Sequence, residues 1–98
     1  MKMNKELNGS VLTLAVEGRV DTTTAPELET VIKNELNGVT ELIFDFSKLD
    51  YISSAGLRVL LTAQKTMTKQ GKMKVTGANE IVMEIFEVTG FSDILTIE

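Results

Sequence analysis

The sequence has no cysteine, no histidine and no tryptophan, and among its 98 residues there is a single proline and a single tyrosine. Without thiolates or imidazoles it cannot build the usual zinc sites, a Cys–His or Ser–His–Asp nucleophilic centre, or a disulfide framework. No metal, no cofactor and no catalytic residues are therefore expected. Basic charge is also scarce, with 10 Lys and Arg against 14 Asp and Glu and a formal net charge of −4. That is the wrong sign for a surface that neutralises phosphates, so direct nucleic-acid binding is not expected. No apolar run approaches the roughly 18–20 residues of a membrane span, and Met1-Lys2-Met3-Asn4-Lys5-Glu6 lacks the apolar core of a secretion signal. These absences predict a cytoplasmic protein without membrane contact.

What is present is the make-up of a folded chain. Hydrophobic residues account for 43% and charged residues for 24%, and the length predicts one domain over residues 1–98. Leu12, Leu14 and Val16 alternate with Val11, Thr13 and Ala15 in a strand pattern, and Asn8-Gly9 is a turn dipeptide that lets Met3 to Leu7 form an edge partner strand. Ala25, Leu28, Val31, Ile32 and Leu36 fall on one helical face. Thr24 and Glu27 have capping-box spacing, Pro26 sits in the first turn, and Asn37-Gly38 marks the end. Glu41 to Phe46 reads as a central strand, Leu57, Leu60 and Leu61 as the buried side of a second helix ending near Gln70-Gly71, and Met73 to Gly77 as a third core strand. Asn79 caps a helix carrying Ile81, Val82, Ile85 and Phe86, Gly90 ends it, and Ile94 to Ile97 is expected as a final strand. The order β-β-α-β-α-β-α-β predicts an α/β fold, a mostly parallel central sheet with an antiparallel edge hairpin and packed helices.

In such sheets binding crevices gather at the carboxyl ends of the strands, where strands lead into helices. Two segments qualify. Gly18 to Thr24 is polar and is either a capped helix start or a recognition loop. Asp50 to Leu57 opens the second helix with Ser53 and Ser54, where a serine serves as an N-cap or the free N–H groups of the first turn face an anion. Gly56 in that first turn is a poor helix former, which implies close approach of a neighbouring loop or of another chain. Ser54 lacks the glycine, base and lysine contexts of a catalytic serine, and no enzyme is expected.

The run Phe44-Asp45-Phe46-Ser47-Lys48-Leu49-Asp50-Tyr51-Ile52-Ser53-Ser54-Ala55-Gly56-Leu57-Arg58-Val59-Leu60-Leu61 resembles the signature of the STAS domain family, and within it of bacterial anti-sigma factor antagonists. Gly18-Arg19-Val20-Asp21 is similar to that family's Gly-x-x-Asp loop, and Thr89-Gly90-Phe91 to the segment after its last main helix. The resemblance implies a STAS-like domain in a partner-switching cycle. The unphosphorylated antagonist binds an anti-sigma factor that is also a serine kinase of the histidine-kinase-like ATPase type, and a sigma factor is released. Phosphorylation, placed by the resemblance at Ser54 with Ser53 as the alternative, ends binding, and a PP2C-type phosphatase resets the chain. The implied partner surface comprises Asp21, Thr22, Thr23, Ser53, Ser54, Gly56 and Leu57. Many members carry aspartate before the phosphoacceptor, where this chain has Ser53, and Ala55 replaces the motif's second serine or threonine. A STAS scaffold or regulatory subunit of a transport or signalling assembly, never phosphorylated, is the alternative.

Overall fold

The computed structural model describes residues 1–98. β1 (Lys2–Asn8) and β2 (Val11–Val20) form an antiparallel hairpin, with Asn8 opposite Val11 across a tight turn. Gly9 takes φ +64 there, a conformation that favours glycine. Then follow α1 (Ala25–Glu35), β3 (Glu41–Asp45), β4 (Leu49–Ile52), α2 (Ser54–Gln70), β5 (Lys72–Thr76), α3 (Glu80–Val88) and a 3-10 turn over Phe91–Asp93. The sheet runs β1-β2-β3-β5, with β1 at the edge as expected and all pairs parallel except the hairpin. No helix is long and apolar enough to cross a membrane.

β2 changes neighbour part-way along. Val11 to Ala15 pair with β3, and Gly18 to Val20 pair with β4, with a shift in register between Gly18 and Arg19 that leaves Asp50 without a partner. β4 corrects the sequence reading, whose element order has no strand between Glu41 to Phe46 and the second helix. Only its end residues Leu49 and Ile52 are buried, so no alternation announces a strand. The expected final strand over Ile94 to Ile97 shrinks to a single bridge between Val75 and Ile97. Phe91 to Asp93 are instead wound into the 3-10 turn.

Buried and part-exposed residues alternate along β2, β3 and β5, so one sheet face carries most of the core. Phe44 and Phe46 meet at a ring-centroid distance of 5.5 Å. α1 and α2 pack against each other, α2 against β5, and α3 covers β4. Met67 and Met73 are buried among these contacts as gap fillers. The core holds 24 buried hydrophobic residues and no buried polar or charged one, so recognition chemistry must sit on the surface.

Candidate functional site

β2 and β4 run parallel and end side by side, with Val20 opposite Ile52. The Ser53 N–H donates to the Val20 carbonyl at 2.8 Å, which ties the start of α2 to the loop leaving β2. In that loop the Asp21 carboxylate accepts from the Thr23 N–H (3.0 Å), the Thr23 hydroxyl (2.7 Å) and the Thr24 N–H (3.2 Å). Thr24 Oγ1 in return accepts from the Asp21 N–H at 2.9 Å. This is the reciprocal pattern of a capping box, set three residues before the Thr24/Glu27 pair that the spacing predicts. Thr24 has helical backbone angles and makes no side-chain cap, so the expected box gives way to one centred on Asp21.

The Thr23 hydrogen bonds, assisted by those of Thr24, hold the Asp21 carboxyl below its usual value of 3.8. Asp45 is likewise lowered from 3.8, first by its hydrogen bonds from Ser47 and then by the charge of Lys48. Groups whose folded pKa is depressed stabilise the fold above their unfolded pKa, and lose that contribution as pH falls through the folded value. An Asp21→Asn/Asp45→Asn variant should therefore melt below the parent at neutral pH. The gap should close as pH drops below 3.8, as read from thermal melts across an acid series. A gap independent of pH would show that the two ionised carboxylates contribute nothing.

At the start of α2 the two serines differ. Ser53 is the N-cap, with extended backbone, and its hydroxyl accepts the Gly56 N–H at 3.4 Å. Ser54 opens the helix and is exposed. No acidic residue stands in the first turn. Gly56 is buried, and a Cβ there would lie 2.6 Å from Ile52 Cγ1 and 2.7 Å from Val20 Cγ1. The close approach inferred from Gly56 is thus that of the two strand ends. Leu57 is buried as well, so these two residues shape the surface from beneath, whereas Thr22, Thr23 and Ser54 lie exposed upon it.

Two depressions flank Ser54. A cleft of about 160 Å³ between α1 and α2 brings Thr22 together with Ala55, Arg58 and Glu29. A larger groove of about 320 Å³ is lined by Ser54, Leu57, Arg58, Leu61, Thr89 and Phe91. Arg58 borders both and is absent from the implied partner surface; its spacing of four from Ser54 is the signal that places it beside the serine. Arg19 was missed too: its guanidinium lies 4.5 Å from the centre of the Tyr51 ring, a cation–π pair across the β2–β4 register. The assembled surface offers hydroxyls, a guanidinium and an apolar groove around an exposed serine, an arrangement suited to recognition.

A sequence model of the STAS domain matches residues 2–98. The chain belongs to the STAS domain family. BtrV of Bordetella bronchiseptica, named as an anti-sigma factor antagonist, is 32% identical over 99% of this STAS chain and 85% of its own length. The anti-sigma-B factor antagonist of Listeria monocytogenes is 31% identical over 96% of this chain and 84% of that protein. Among solved structures, the anti-sigma factor antagonist SpoIIAA in its unphosphorylated form superposes with a TM-score of 0.85 at 16% identity, covering 99% of this chain and 88% of that one. The phosphorylated form of SpoIIAA, from Bacillus, gives 0.69 at 16% identity, covering 99% and 91%. The STAS fold expected from sequence is the fold observed.

Proposed function

We propose that this STAS chain is an anti-sigma factor antagonist that works by partner switching. Unphosphorylated, it binds an anti-sigma factor that is also a serine kinase of the histidine-kinase-like ATPase type, and a sigma factor is set free. Phosphate on Ser54 abolishes that binding, and a PP2C-type phosphatase restores it. The chain acts in the cytoplasm as a non-catalytic regulator, without touching nucleic acid or membrane. The names of its relatives support the role, and SpoIIAA, which exists in phosphorylated and unphosphorylated forms, supports the cycle.

The observation that carries the choice of residue is the unequal use of the two serines. The Ser53 hydroxyl is engaged as the helix cap, while Ser54 is exposed one residue later, beside Arg58 and the apolar groove. Asp21, Thr22 and Thr23, joined to α2 through the Ser53–Val20 hydrogen bond, complete the proposed contact surface, and Gly56 and Leu57 support it. Phosphoserine brings about −1.5 to −2 charges, which the N-terminus of a helix favours by about 0.3–1 kcal/mol. Modification therefore leaves the fold in place, and its effect falls on the partner, which must desolvate the phosphate to stay in contact.

Intact-mass and fragment mass spectrometry of the protein isolated from its native cells under several growth conditions tests this reading. Phosphate on Ser54 that varies with conditions is the expected result. Phosphate confined to Ser53 would move the acceptor to the cap, and none under any condition would leave the unphosphorylated scaffold in its place.

A further inference from the structure

α3 has an apolar face wider than the one it buries. Val82 and Phe86 point into the core, and a second row, Ile81, Ile85 and Val88, follows at i, i+4 and i+7. Ile81 is 59% and Val88 78% exposed, with Ile85 half-buried between them. One position before each stands a glutamate: Glu80, Glu84 and Glu87 are all exposed, so an acidic row borders the apolar one. The chain's ion pairs lie on β1, α1, β3, β5 and the last residue, and none involves these glutamates. Two local penalties accompany the arrangement. Exposed isoleucine and valine are poorer helix formers than the charged residues common at such positions. Glu87 sits in the last turn, at the negative end of the helix dipole, with no basic residue to offset it.

We propose that this face docks an amphipathic helix of a partner protein, whose apolar row is bordered by lysine or arginine. The acidic border selects the sign of the partner. It also argues against a second copy of this chain, because a two-fold antiparallel pairing of α3 would set each acidic row against its twin. The surface is independent of the chemistry of Ser54.

The test titrates the isotope-labelled full chain with a synthetic helical peptide of about 15 residues, near the length at which isolated helices become stable, carrying leucines at i, i+4 and i+7 bordered by lysines. A second peptide carries glutamates in place of the lysines. Saturable NMR shift changes at Ile81, Ile85 and Val88 are expected with the lysine peptide. The dissociation constant should rise about tenfold or more for the glutamate peptide, and for chains carrying Glu84→Lys or Val88→Ser. Circular dichroism checks that both variants keep their helices. No saturable binding, equal affinity for the two peptides, shift changes away from α3, or self-association that Val88→Ser abolishes would each overturn the proposal.

Discussion

Replacing Ser54 with glutamate is expected to weaken binding to the proposed anti-sigma factor partner by about a hundredfold or more, equivalent to about 2.7 kcal/mol, while the melting temperature stays within a few degrees of the parent. The asymmetry follows from the position. An anion on the first residue of α2 meets free N–H groups, no acidic neighbour in the first turn, and Arg58 one turn on, so the isolated chain tolerates it. In a complex the same charge lies against a closely packed surface and must shed water. Ser53→Ala separates capping from the charge effect: loss of the cap should lower stability by about 1 kcal/mol and weaken binding far less than the glutamate does. Calorimetric titration of the partner with each variant reads the difference. Tight binding by Ser54→Glu would sink the proposed switch.

Gly56→Val is expected to destabilise the fold by about 3 kcal/mol, the upper end for overpacked cores, and so to lower the melting temperature by roughly 12–24 °C for a domain of this size. The added Cβ would overlap Ile52 Cγ1 and Val20 Cγ1, at 2.6 and 2.7 Å. Both neighbours are β-branched, stiff at χ1 and almost fully buried, so neither can swing aside. Gly56→Ala should fall short of this, because alanine recovers about 1 kcal/mol of helix propensity. Thermal denaturation followed by circular dichroism measures both. If the valine variant melted within a few degrees of the parent, the junction of α2 with the strand ends would be far looser than its distances imply.

The parts of the fold that were legible in the sequence are those where a period repeats. Leu12, Leu14 and Val16 declare a half-buried strand, and Leu28 and Ile32 with Leu36 declare the inner face of α1. β4 was illegible because a four-residue strand with buried ends, offset by a bulge, shows neither helical nor strand periodicity. The Asp21 box was hidden by a competing pattern, since Thr24 with Glu27 has the same spacing as Asp21 with Thr24. The choice between the two depends on backbone angles at Thr24 that residue identity does not determine. At the site, sequence marked both loops and both serines. It could not say which hydroxyl is engaged, that Thr89 and Phe91 come round to face Ser54, or that Gly56 is required from within.

The change of neighbour along β2 has an evolutionary reading. The residues of the proposed contact surface hang from the short β2–β4 ladder, anchored at Val20, Ile52 and Gly56, while the larger ladder of β2, β3 and β5 lies outside that anchorage. Thr22 and Arg58 are exposed and free to vary without loss of a side-chain hydrogen bond, whereas Thr23 holds Asp21 and the three anchors are sealed by mutual contact. A duplicated copy of this gene could thus acquire a new partner by drift at exposed positions alone. Divergence of the surface on an unchanged frame would then be enough to keep the two copies from sharing a partner.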